Sequence, residues 1–174
     1  MRCMQTNPAH AAATPQLGRY EIDTGSSTVR FRTRDLFGLG PVRGSFAIRS
    51  GTVDIAEPLA GSRVHAEIDA ASFRTRNPAR DSAVRSARLL DIANHPVITF
   101  ASERTDGSTL TGTLTVRGVA RPVTLSIESS AVAPGSFTAR ATVRIDRTEF
   151  GVTALRGLAG RYLNLTLEVR CLRK

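Results

Sequence analysis

Residues 110–127 read LTGTLTVRGVARPVTLSI, and the spacing of apolar side chains along them decides the fold. Leu110, Gly112, Leu114 and Val116 alternate with Thr111, Thr113, Thr115 and Arg117. Beyond the Arg117-Gly118 break, Val123, Leu125 and Ile127 face away from Thr124, Ser126 and Glu128. A period of two sends successive side chains to opposite faces of a strand, one dry and one wet. Two such runs around a short glycine-containing break predict an antiparallel pair.

The same period recurs outward in both directions. Upstream, Val29, Phe31 and Thr33 alternate with Arg30, Arg32 and Arg34; Val42, Gly44, Phe46 and Ile48 alternate with Arg43, Ser45, Ala47 and Arg49. Val64, Ala66 and Ile68 then alternate with His65, Glu67 and Asp69, and Ile98 and Phe100 with Thr99 and Ala101. Downstream, the inward phase is Phe137, Ala139, Ala141, Val143 and Ile145, then Leu163, Leu165, Leu167 and Val169. That makes eight alternating segments. Ser50-Gly51, Asp106-Gly107 and Pro134-Gly135 read as further tight breaks, so neighbours in sequence are expected to be neighbours in one antiparallel sheet.

Such a sheet buries its dry face either by closing into a barrel or by stacking as a sandwich, and period alone leaves both open. Gly44, Ala66, Gly112, Ala139 and Ala141 are small, tryptophan is absent and aromatic residues make up 5%. An eight-stranded barrel walled by such residues has room for one ligand.

One segment breaks the period. Asn77-Pro78 is an N-cap followed by proline at the first helical position, predicting a helix from Pro78 to Leu90. Its apolar stripe is thin (Ala83, Val84, Ala87, Leu90), which suits a lid at a barrel mouth. Thr148 to Gly160 reads as loop.

Composition limits the remaining functions. The net charge is +9, and Lys174 is the one lysine among 24 basic residues. The arginines are scattered singly rather than in a block, so nucleic acid is not an expected partner. No run approaches the ~20 apolar residues of a membrane span. His10, His65 and His95 share no ligand spacing, and no nucleophile sits near a base, so no catalytic residue, metal or cofactor is expected. Gly38-Leu39-Gly40-Pro41 lies between strands and reads as a hairpin turn rather than a phosphate loop. Residues 1–18 lack an apolar h-region and are expected to form a disordered tail of a cytoplasmic protein, a secreted form requiring a different start codon. The barrel is expected over residues 19–171 with 172–174 as a C-terminal end. Cys3 and Cys171 then fall outside the core as incidental thiols.

Five segments carry a family resemblance: YEIDTGSSTVRFRTRDL, VRGSFAIRSGTVDI, FRTRNPARDSAVRSARLLDIANHPVITFAS, GTLTVRGVARPVTL and IDRTEFGV. In this order and spacing the chain resembles the YceI-like family, the polyisoprenoid-binding lipocalin-like proteins, from Arg19 to Val169. The resemblance implies an all-β, eight-stranded antiparallel lipocalin-like barrel with a short helix near its mouth. Its lumen is then expected to bind, store or transport an isoprenoid lipid, either a polyprenyl pyrophosphate or an isoprenoid quinone. The expected wall is Phe31, Phe46, Ile68, Phe100, Leu114, Leu125, Val143 and Leu165. Arg80 and Arg85, with Asp81 beside them, are candidates for the headgroup. This chain departs from the family at Asp35-Leu36, at Ala83-Val84-Arg85-Ser86 and at Arg88-Leu89, all near the expected mouth. A homodimer is kept among the partners. The competing readings are a stress-related interaction protein whose barrel is filled by its own side chains, and a lipid-modifying enzyme.

Overall fold

The computed structural model describes residues 13–35 and 40–174. Its strands are β1 (Gly18–Ile22), β2 (Thr28–Asp35), β3 (Gly40–Ile55), β4 (Arg63–Arg74), β5 (Val97–Thr105), β6 (Thr109–Val116), β7 (Val119–Ala133), β8 (Ser136–Asp146) and β9 (Tyr162–Arg173), with helix α1 (Pro78–Arg85) between β4 and β5. All the strand pairs are antiparallel, and they close a ring: β3 pairs with β2 and β4, the meander continues to β8 and β9, and β9 returns to β2. Phe31 thus sits opposite both Gly44 and Leu165.

The ring has eight positions although the described residues form nine strands. β1 pairs with the far half of β3 and the end of β9, beside the same two strands that flank β2. β1 and β2 are therefore two parts of one stave, interrupted at residues 23–27. That interruption stays pinned to β9, since Asp23 N donates to Arg170 O (2.8 Å) and Arg170 N to Ser27 Oγ (3.0 Å).

Three of the expected breaks are turns. Arg117 (φ 51°) and Gly118 (φ 73°) both occupy the left-handed region, as a two-residue turn matched to the twist of its strands demands. Ser50-Gly51 is not a turn. It lies inside β3, where Ile48 faces Ile68 and Ser50 faces Glu67, so one extra residue makes a β-bulge. The inward phase shifts there, from Ile48 to Val53 and Ile55. Ile22 of β1 reaches into the space a β-carbon on Gly51 would take, with His65 O 3.2 Å from the same position.

The helix is shorter than expected. Asn77 accepts from Arg80 N (3.0 Å) at its start. At its end Ser86 Oγ donates to Ala83 O (2.6 Å), and residues 87–94 continue as turns rather than to Leu90. A serine that bonds the preceding turn competes with helix propagation. We call the end carrying α1, the Arg117-Gly118 turn and the β8–β9 loop the helix end; the opposite end carries the Asp106-Gly107 and Pro134-Gly135 turns.

Cys171, expected outside the core, is wholly buried, because pairing with Ile22 places it under β1. Gly18, expected in the tail, begins β1. The residues just before it lie against the barrel: the Arg173 guanidinium donates to Gln16 Oε1 (3.1 Å) and Leu17 O (3.0 Å), and Ser130 Oγ donates to Ala13 O. β9 also runs past residue 171, with Leu172 opposite Ser136. Cys3, Leu36, Gly38 and Leu39 lie outside the described residues.

Candidate ligand cavity

The inward faces enclose a cavity of about 550 Å³, within the range of small-molecule sites. All eight expected wall residues line it: Phe31, Phe46, Ile68, Phe100, Leu114, Leu125, Val143 and Leu165. The lining runs from Pro15, Leu59 and Gly107 at one end to Arg80, Val84 and Leu158 at the helix end. It traverses the barrel.

Not every small residue contributes space. Phe100 lies over Gly112, where a β-carbon would stand 2.8 Å from its ring and 2.5 Å from Ala101 O. Phe31 covers Gly44 in the same way, with its Cε1 2.7 Å from that position. These glycines accept aromatic rings against the wall and do not line the cavity. Ala66, Ala139 and Ala141 do.

Several wall residues escaped the period. Val53 and Ile55 lie beyond the bulge in β3. Phe73 follows a larger irregularity, since Ser45 faces Arg74 while Ala47 faces Asp69. Its ring stacks on Phe31 (centroids 5.2 Å) and meets Phe46 edge-on (5.4 Å), closing the wall beneath α1. Phe150, Val152, Leu155 and Leu158 come from the β8–β9 loop, where no periodicity exists to read.

That loop is organised by Arg147. Its Nε donates to Gly160 O (2.7 Å), Nη1 to Val152 O (2.7 Å) and Ala154 O (2.9 Å), and Nη2 to Ala159 O (3.1 Å). Burial pushes its pKa down, but a guanidinium stays charged throughout the accessible range. Asp146 caps the turn by accepting from Thr148 N (3.0 Å), and a hydrogen bond from Arg161 holds its carboxyl down at about 2.

The two candidate headgroup arginines part company. Arg80 lines the cavity at its helix end. Arg85 does not, because its Nη2 donates to Phe73 O (2.5 Å) and ties the helix to β4. Asp81, expected on the rim, is buried and accepts from Thr75 N (2.9 Å) and Thr75 Oγ1 (2.6 Å). Both are structural groups.

The wall offers little chemistry. Among the described residues its ionisable groups are Arg80, Arg147 and Cys171. Burial pushes the Cys171 thiol up to about 12, so it is neutral. Three of the wall hydroxyls are engaged with backbone: Thr33 Oγ1 donates to Tyr162 O (2.7 Å), Thr105 Oγ1 to Thr109 O (2.7 Å), and Ser62 Oγ accepts from Ala56 N (2.9 Å). Among the described residues no helix is long and apolar enough to cross a membrane.

A family model described as the YceI-like domain matches residues 20–171. The chain belongs to the YceI-like family. A UPF0312 protein of Enterobacter sp. (strain 638) is 33% identical to it over 167 residues, 86% of this chain and 84% of the relative. The YceI protein of Escherichia coli O157:H7 is 37% identical over 113 residues, 61% of this chain and 59% of its own. Among solved structures, Burkholderia cenocepacia BcnA superposes with a TM-score of 0.74 at 22% identity, covering 86% of this chain and 98% of BcnA. A polyisoprenoid binding domain from Saccharophagus degradans gives 0.71 at 15% identity, covering 91% and 100%. These likenesses place the YceI-like chain in a common barrel architecture, and the cavity follows from its own side chains.

Proposed function

We propose that this YceI-like protein binds one long apolar chain of the isoprenoid class along its barrel axis and carries it without transforming it. The observation that carries this reading is the continuous apolar cavity. β9 has 12 residues, about 40 Å of strand, which at ordinary barrel tilt gives a height of roughly 30 Å. Spread over that height, about 550 Å³ corresponds to a mean cross-section of roughly 20 Å². A lumen that is long relative to its width suits an extended hydrocarbon chain. Each buried methylene contributes ~0.8 kcal/mol, so ten of them gain ~8 kcal/mol before the cost of association. The Saccharophagus domain, of the same architecture, is described as polyisoprenoid binding.

Carriage rather than catalysis is supported by the wall itself, which among the described residues sets no base beside a nucleophile. An anionic headgroup would lie at the helix end, where Arg80 meets the lumen; a guanidinium grips a phosphate oxygen pair in bidentate fashion. Organic extraction and mass spectrometry of the purified protein should release an isoprenoid. In calorimetric titrations, Arg80→Gln should weaken a prenyl pyrophosphate about tenfold, the ~1.4 kcal/mol of one charge-assisted contact, and leave a prenyl alcohol of equal length unchanged. A protein that takes up neither ligand refutes the proposal.

A further inference from the structure

The net charge of +9 is not spread evenly over the barrel. At the end opposite the helix, acids and bases are matched: Arg19 pairs with Asp54 (3.8 Å) and Lys174 with Glu21 (2.5 Å), with Glu57 and Asp106 adding negative charge. At the helix end the outer wall of β2, β3 and β4 is basic. Arg32 stands directly opposite Arg43, and Ser45, the next outward residue, stands opposite Arg74. Arg30, Arg32, Arg43, Arg74 and Arg76 are exposed, and none forms an ion pair with a carboxylate among the described residues. Arg121, Arg144 and Arg156 add positive charge at the same end, against the acids Asp35 and Glu149 and the Asp146–Arg161 pair (2.9 Å). A genome's preference for arginine codons sets how many arginines a chain carries, and has no bearing on which end of a barrel they gather at.

Two exposed apolar groups sit at this end. Leu158, 50% exposed, also lines the cavity. Tyr162, 40% exposed, holds the Arg144 guanidinium over its ring at 4.1 Å. A leucine and a tyrosine exposed at the arginine-rich end match the headgroup boundary of a bilayer. There the leucine enters the acyl layer, the tyrosine ring lies at the interface and the guanidinia meet lipid phosphates. A nucleic acid would satisfy the arginines and leave Leu158 unused.

We propose that the helix end docks on the surface of anionic phospholipid bilayers, with Leu158 and Tyr162 toward the lipid and the cavity opening into the interface. The docking rests on charge and exposure alone. Its consequence, that a chain passes between bilayer and lumen without crossing water, rests on the lipid-binding reading above.

The test is flotation of the full chain with vesicles that contain no isoprenoid, so that its outcome is independent of what fills the lumen. Vesicles of phosphatidylcholine with about a third phosphatidylglycerol should bind the protein, pure phosphatidylcholine should not, and salt well above physiological strength should release it, since screening shortens the reach of surface charge. The triple substitution Arg32→Glu/Arg43→Glu/Arg76→Glu should reduce binding to anionic vesicles at least tenfold. Arg63→Glu/Arg104→Glu/Arg170→Glu makes the same change of net charge at sites away from the basic face and should bind like the parent. All six positions are exposed, and circular dichroism with thermal melting checks that both variants fold. Equal losses in both variants would overturn the proposal, because total charge rather than a face would then be responsible. So would absence of binding to anionic vesicles, or tighter binding to a short DNA duplex that the first variant alone loses.

Discussion

Ala141→Phe separates a barrel that holds a ligand from one filled by its own side chains. Ala141 lines the cavity on β8, opposite Ile127 and Leu167, and belongs to none of the packed core clusters. A phenyl ring placed there projects into the lumen. If the space is real, the ring buries roughly 100 Å² of additional apolar area, worth up to ~2.5 kcal/mol at ~25 cal/mol per Å². Side-chain ordering offsets part of that gain. The expected outcome is a melting temperature unchanged or raised by up to ~5 °C, since ~1 kcal/mol shifts a domain of this size by ~2–4 °C. The same ring stands in the path of a bound chain, so affinity for a prenyl alcohol should fall at least tenfold. Differential scanning calorimetry and isothermal titration of the same preparation read both quantities. A filled interior would respond oppositely, because overpacking costs ~1–3 kcal/mol. A fall of more than ~3 °C would refute the cavity, and an unchanged affinity would put the ligand elsewhere.

Phe100→Glu should cost several kcal/mol and abolish ligand uptake, because an unpartnered carboxylate would stand on the wall; Thr138→Glu, on the outer face opposite Arg170, should do neither in the same denaturant titration. Arg147→Met strands four carbonyls and should lower stability by about 3 kcal/mol, and Arg147→Lys should recover little of it, since an ammonium cannot reproduce the planar fork; urea melts of both variants decide this. The Cys171 thiol, pushed up to about 12 by burial, should resist thiol reagents in the folded protein at pH 8 and react on unfolding. An unfolded thiol ionises near 8.5, so its contribution to stability is intact below that pH and declines as pH rises toward 12; Cys171→Ala should remove that part of the alkaline decline, whatever its cavity cost at neutral pH.

The inward phase was legible because it is local: a period of two is written in eight successive residues and needs no knowledge of the partner. Closure was not. It depends on β2 meeting β9, with Val29 opposite Leu167, and a contact between residues so far apart in sequence leaves no mark on either strand. The two irregularities in the β3–β4 ladder hid Val53, Ile55 and Phe73 for a related reason. One added residue reverses which face a strand turns inward, so the alternation was legible up to each irregularity and the strand was not followed beyond it. Ser50-Gly51 has the composition of a turn, and the approach of Ile22 from β1 is visible only in the folded chain. Arg85 and Asp81 sit on a short polar helix as rim residues would, and what they bond to, Phe73 O near the end of β4 and Thr75 just after it, lies beyond the point where the pattern had ended.

The lumen follows from composition by a different route than counting small residues suggests. Gly44 and Gly112 add no volume, because Phe31 and Phe100 fold across them from the neighbouring strands. Their effect is to set two large rings flat against the wall that would otherwise project toward the axis. A glycine facing an aromatic residue across a strand pair is thus a way of keeping a wall thin while making it apolar. The alanines act directly, since Ala66, Ala139 and Ala141 leave the axis open. Both devices act across the barrel, Ala66 and the two glycines on the β3–β6 side and Ala139 and Ala141 on β8. The space they leave is therefore continuous from Leu59 to Leu158 rather than a set of separate voids. The proposed ligand, long, apolar and polar at one tip, fits such a bore, and in that proposal its tip lies at the end where Arg80 meets the lumen.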